Sequence, residues 1–195
     1  MQDSLRFETA IEIFDTTNAQ DPRIWEVGGI AHPQELWFSE RHTEWVKKLK
    51  PDASEALLLA SRCQHICRWE VPRTTYPMGR PGYLKWRSDL KLFHADKAGE
   101  LLKEVGYDDE IIARVQQLNL KKNLSTDSEC QTLEDALCLT FMQYQFDDLI
   151  ADTEERKMIK IVQKTWGKMS EQGHTEALKL DFSEESLAIV QKALE

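Results

Sequence analysis

Residues 131–150, QTLEDALCLTFMQYQFDDLI, decide the fold. Apolar side chains fall on almost every side of a helix drawn through them: Leu133, Ala136, Leu137, Cys138, Leu139, Phe141, Met142, Phe146 and Leu149. A surface helix shows one apolar stripe, whereas a helix that is apolar all round is buried. The stretch is therefore predicted to be the central helix of a helical bundle. Two carboxylates interrupt it. Asp135 shares an arc with Cys138, Leu139, Met142 and Phe146, and Glu134 lies a quarter-turn away, near Phe141. A buried carboxylate needs a partner, because an unpaired charge in an apolar interior is costly or is neutralised.

The segments on either side show helical spacing too. Residues 4–18 place Phe7, Ala10, Ile11 and Phe14 on one face. Residues 33–49 do so with Phe38, Trp45, Val46 and Leu49, and His42 falls inside that stripe. Residues 54–70 are apolar through Ala56, Leu59, Ala60, Cys63, Ile66 and Cys67. Residues 82–105 bury Trp86, Leu90, Phe93, Leu101 and Val105, with Arg87 and His94 on the same arc. A fifth helix starts at Asp108 or Asp109 and runs through Ile111, Ile112, Val115 and Leu118. Asn119 and Lys122 continue its stripe inward, and Lys121 points elsewhere. Residues 153–169 and 183–194 complete the set. DPRIWEVGGIAHP (21–33) reads as a loop, marked by Pro22, Gly28-Gly29 and Pro33. Only the segment near VPRTTYP and residues 177–182 could accommodate a strand. No repeat, low-complexity segment or linker divides the chain. The expectation is one all-α domain over residues 1–195, a helical bundle.

Composition narrows the function. The chain has 195 residues, long enough for one domain with a real core. Its net charge of −9 argues against nucleic acid as a partner. No apolar run approaches the ~18 residues that would span a membrane. The start, MQDSLRFETAIEIF, carries acids where a signal peptide has a basic segment and an apolar block, so a cytoplasmic protein is expected. The four cysteines, Cys63, Cys67, Cys130 and Cys138, lack CxxC spacing and are expected to be reduced core residues.

The charge is unevenly spread. Residues 41–94 hold 11 Lys and Arg against 5 Asp and Glu, a local +6 that leaves −15 for the rest of the chain. A cationic centre inside an acidic shell suits a small anionic ligand drawn into a cleft. Within it, RCQHICRWEVPRTTYPMGRPGYLKWRSDLKLFH (62–94) packs arginines, histidines and aromatic rings together. Arg62, Arg68, Arg80 and Arg87, with Lys122, are the candidates for phosphate, which guanidinium groups grip with paired hydrogen bonds. Trp69, Tyr76 and Tyr83 are candidates to stack on a ring of the ligand. The loop in this stretch is rich in Pro and Gly and about 12 residues long, a length that is often functional.

His42, His65, His94 and Asp135 sit on four helices, each on an inward or cleft-lining arc. Imidazole and carboxylate are the usual ligands of divalent zinc, manganese or iron, and such wide spacing suits a site assembled across a bundle. The order His42, His65 after ALLLASRCQH, His94, then Asp135 in LEDALCL resembles the HD-domain phosphohydrolase layout. There a first helix supplies a His, a second an adjacent His-Asp pair, and a late helix an Asp. Here Ile66 follows His65, so the doublet is degenerate. The chain is more closely similar to the family of domain of unknown function 4202. Four segments carry that likeness: PDASEALLLASRCQHICRWEVPR, YPMGRPGYLKWRSDLKLFHA, VGYDDEIIARVQQL and QTLEDALCLTFMQ.

The resemblance to HD domains implies a metal-dependent hydrolase of a phosphorylated small molecule or nucleotide, with one divalent metal on His42, His65 and Asp135, His94 as a fourth ligand, and Glu134 as general base beside Asp135. Loss of the Asp beside His65 equally fits a relative that binds the anion without turnover. A third reading is an interaction protein whose arginine-rich loop docks an acidic partner.

Overall fold

The computed structural model describes residues 2–195. The first helix, α1 (Gln2–Asn18), buries Ala10 and Phe14 completely. A hairpin follows, β1 (Ile24–Val27) paired antiparallel with β2 (Ile30–Pro33), Trp25 opposite His32 and Val27 opposite Ile30. This segment reads as a loop in the sequence, and the structure corrects that. Gly28 and Gly29 both have positive φ, 57° and 80°, and the two-residue turn they make matches the twist of paired strands. Trp25 pins the hairpin to the helices, its ring 4.9 Å from Phe38 and 6.2 Å from Trp37.

The next helix, α2 (Gln34–Leu49), leads to α3 (Glu55–Cys63), whose first turn is capped by Ser54 accepting from the Leu57 N–H. The third helix stops at Cys63, seven residues before the expected end. The chain turns through Gln64–Ile66, and Cys67 takes a left-handed conformation with φ 55°. Two short 3₁₀ turns (Arg68–Glu70 and Arg73–Thr75) fill the Pro-rich link, with no strand in it. The long α4 (Arg80–Val105) ends at Gly106, φ 90°, where Tyr107 N–H donates back to Leu102 O and Gly106 N–H to Lys103 O. This glycine-terminated ending satisfies the last carbonyls of the helix.

After α5 (Asp109–Asn119) comes the central helix, α6 (Ser128–Tyr144), begun by Asp127, whose carboxylate accepts from two backbone N–H groups. It packs on α2, α3 and α5 and buries Leu133, Ala136 and Leu139 entirely. The predicted helix is broken at Gln145, and a short α7 (Phe146–Ala151) turns away so that Phe146 meets Phe141 and Phe182 edge-on. Then come α8 (Glu155–Trp166), α9 (Glu171–Ala177) and α10 (Glu184–Leu194). Helix α9 was not anticipated in the sequence, and residues 178–182 form no strand. The helices share one apolar core. All four cysteines are free and buried, as expected. No described helix is long and apolar enough to cross a membrane.

The centrality of α6 predicts the response to truncation. Leu139→Ala removes a fully buried side chain and is expected to cost about 2–5 kcal/mol. Leu187→Ala, on an exposed face of α10, should cost under ~0.5 kcal/mol. Denaturant unfolding of both variants measures the difference, and equal losses would contradict the packing.

Candidate anion-binding site

The site is built on α4. Trp86, Leu90 and His94 recur at i, i+4 and i+8, and all three are buried. Arg87 and Lys91 form the neighbouring row, one turn apart. His94 Nδ1 lies 2.7 Å from Ile66 O. A carbonyl can only accept, so Nδ1 carries the proton and Nε2 bears a lone pair. That Nε2 is buried without a hydrogen-bond partner among the described residues. Burial above all, with Arg68 nearby, pushes the His94 pKa down to about 4, so the ring is neutral. The Ile66 carbonyl is available because α3 has ended and the chain has turned into Cys67.

His65 sits half-buried with its ring 5.7 Å from that of His94. It too is held well below its ordinary pKa, by burial first and then by the charges of Arg68 and Lys121. The Arg68 guanidinium lies over the Trp86 ring at 5.2 Å. Burial and the nearby Arg87 and Arg23 depress its pKa, while Glu35 opposes them. Arg87 Nη1 donates to the Tyr83 hydroxyl at 3.3 Å. Lys91 is depressed by burial, then by Lys121 and Arg87.

Two buried acids border these cations. Glu35 holds Arg23 at 2.9 Å, and Arg23 also grips Asp21 through Nε and Nη2 at 2.9 and 2.8 Å. Burial raises the Glu35 pKa, against the pull of Arg68 and Arg23. At the other side, Glu134 is bonded to Lys121 and lies 3.5 Å from Lys168. Burial alone would raise the Glu134 pKa, but Lys121 and then Lys168 outweigh it and hold the carboxyl below its usual range.

Four arginines are taken up by acids. Arg23, Arg41, Arg62 and Arg114 each hold carboxylates. Among the described residues, Arg68 and Lys91 have no hydrogen-bond or ion-pair partner, and Arg87 has only the Tyr83 hydroxyl. Arg68, Arg87 and Lys91 therefore carry positive charge beside the His65–His94 pair that no carboxylate among the described residues bonds.

Several candidates from the sequence lie elsewhere. His42 is buried with Nδ1 3.0 Å from Ser61 O and Nε2 3.1 Å from Leu133 O; the neutral ring donates to one of these carbonyls and packs its other nitrogen against the second, tying α2 to α3 and α6. Neither nitrogen is left for a ligand. Asp135 accepts from Gln131 Nε2 at 2.9 Å, Ser170 N–H at 2.8 Å and Ser170 Oγ at 2.5 Å. It anchors the start of α9, and a Cβ on Gly173 would lie 2.8 Å from its Oδ1. Arg62 pairs with Asp15 at 2.5 and 2.7 Å and approaches Glu40 at 3.5 Å. Tyr76 OH donates to Asp89 at 3.0 Å, Arg80 is exposed at the start of α4, and Trp69 packs against the core. Lys122 is exposed and Lys121 is the inward lysine, the reverse of the expectation. The helix ends at Asn119 and Lys121 adopts φ 55°, so extending the helical spacing past Asn119 assigns the wrong side chain.

The sequence reading missed Lys91, Lys121, Lys168, Arg23 and Glu35. Lys91 could have been found, since it lies four residues after Arg87 and three before His94. The others needed the hairpin and the left-handed turn. Of the four expected metal ligands, only His65 and His94 adjoin, and His94 has only Nε2 not bonded to a carbonyl. Among the described residues, no three His, Cys, Asp or Glu side chains gather as a metal-holding group. The site as folded does not fit a three-ligand zinc, manganese or iron centre.

The buried imidazoles set a pH response. His42 and His94 both have pKa values pushed down to about 4, against about 6.5 in an unfolded chain. As pH falls, the unfolded chain takes up these protons first. Their contribution is whole above pH ~6.5 and is lost progressively down to pH ~4, at up to about 1.4 kcal/mol per histidine for each pH unit. His42→Asn is expected to flatten that loss, whatever its absolute stability. Urea unfolding between pH 7 and 4.5 checks this, and a variant as steep as the wild type would contradict it.

No curated protein and no solved structure matches the chain. One family model does, over residues 8–190, a range that includes every residue of the candidate site: the chain belongs to the family described as domain of unknown function (DUF4202).

Proposed function

We propose that the protein binds a phosphorylated small molecule, a nucleotide or similar metabolite of the cytoplasm, at the cationic patch beside His65 and His94. One observation carries the reading. Arg68, Arg87 and Lys91 come together there, partly buried and without carboxylate partners among the described residues, whereas Arg23, Arg41, Arg62 and Arg114 each hold an acid. Half-buried cations are costly unless something neutralises them. A phosphate does so and accepts the hydrogen bonds that guanidinium groups offer. Binding without turnover accords with Ile66 in place of an Asp after His65, and with the commitment of His42 and Asp135 to structural hydrogen bonds.

The second reading is HD-like, metal-dependent hydrolysis of the same ligand. Its support is the order of the histidines along the chain and the pairing of His65 with His94 at 5.7 Å. Elemental analysis of chelator-free protein separates the two. Metal-free protein of full stability is expected. About one equivalent of zinc, manganese or iron, lost in His65→Ala, would move the function to hydrolysis.

Ligand binding itself is read by thermal shift. A phosphorylated ligand at a hundred times its Kd should stabilise the fold by about 2.7 kcal/mol. Arg87→Met and Arg68→Met should each weaken binding tenfold or more, at about 1.4 kcal/mol per decade. Arg68→Met should also leave the free protein no less stable, because Arg68 is desolvated without an ion-pair partner among the described residues. If phosphate and a panel of nucleotides leave the melting temperature unchanged, the reading fails and an acidic protein partner becomes the better candidate.

A further inference from the structure

The cations of the candidate site form two ends. At one, Arg68 lies over Trp86, Arg87 reaches the Tyr83 hydroxyl, and Arg23 is held by Asp21 and Glu35. Three guanidinium groups there meet two carboxylates. At the other, Lys121 and Lys168 flank Glu134, and Lys91 lies in electrostatic reach of all three. Three ammonium groups there meet one carboxylate. Each end thus keeps a positive surplus of its own.

The two ends are adjacent and joined. Arg87 and Lys91 stand four residues apart on α4, about 6 Å along the helix axis. Between the ends lies His65, a neutral ring near both Arg68 and Lys121. A single phosphoryl group carries at most about two negative charges. Seated at one end, it leaves the surplus at the other unanswered.

We infer that the ligand is a diphosphate, with one phosphoryl group at the Arg68–Arg87 end and the other at the Lys91–Lys121 end. This rests on the reading of the cationic patch as a phosphate site, and extends it to the class of ligand. The arginine end offers planar pairs of donors beside exposed Tyr83, and the lysine end offers compact point charges.

Calorimetric titration of the full chain with orthophosphate and with methylenediphosphonate, a diphosphate mimic that resists hydrolysis, tests the inference. The diphosphonate is expected to bind at least about tenfold more tightly. Lys91→Met should bring that preference below about threefold. Lys122→Met removes the same charge from the exposed neighbour of Lys121 and should leave the preference intact. Equal affinities for the two probes, with both bound, would overturn the diphosphate inference and leave the phosphate reading standing. So would a preference that Lys122→Met lowers as much as Lys91→Met, which would mark it as an effect of overall charge. Binding of neither probe would overturn the phosphate reading, and the diphosphate inference with it.

Discussion

Two adjacent carboxylates, Glu134 and Asp135, lie buried in the central helix, and the rest of the molecule is arranged to compensate them. Consecutive residues on a helix point about 100° apart, so one partner cannot serve both. Asp135 is answered by neutral donors, the Ser170 N–H and hydroxyl and the Gln131 amide. That choice fixes the turn between α8 and α9 against the core and leaves no room for a side chain at Gly173. Glu134 is answered by lysines, and this brings Lys121 and Lys168 to the edge of the candidate site. A structural demand for charge balance thereby sets one wall of the candidate site.

The opposite wall follows a parallel logic from the hairpin. Asp21 and Glu35 are buried and share Arg23. Glu35 also faces Arg68 without bonding it, so Arg68 rests on Trp86 with part of its charge unmet. Three non-glycine residues hold left-handed backbone among the described residues, Cys67, Lys121 and Asn123. Each costs about 1–2 kcal/mol relative to ordinary backbone, and such strain persists where the surroundings enforce it. Two of them adjoin the candidate site: Cys67 precedes Arg68, and Lys121 is the lysine on Glu134. Desolvated cations, a bare imidazole nitrogen and strained backbone thus coincide in one place, while the four arginines named as paired meet their acids. Stability is relinquished locally where a ligand would restore it.

Histidine illustrates how similar helical positions acquire different roles. His42 and His94 both lie on inward arcs, and both are neutral because burial disfavours the charged ring. His42 has a carbonyl at each nitrogen and is therefore a strut. His94 has one carbonyl, from a turn that exists only because α3 ends early, and so keeps a free acceptor. The difference comes from where the neighbouring backbone has unpaired carbonyls, which no spacing along the chain encodes.

The helical bundle was legible in the sequence because apolar periodicity reports directly which face of each helix is buried. So was the cationic character of residues 41–94. The hairpin was missed because Gly-Gly between two prolines reads as a loop until strand pairing supplies its backbone hydrogen bonds. The partners of each charge were beyond the sequence. Arg62 looked available until α1 brought Asp15 to it, Asp135 looked like a ligand until α9 claimed it, and Lys121 changed places with Lys122 through one left-handed residue. Periodicity is a local property, set by 3.6 residues per turn. Charge pairing depends on which elements meet across the core, and only the tertiary structure decides which cations remain for a ligand.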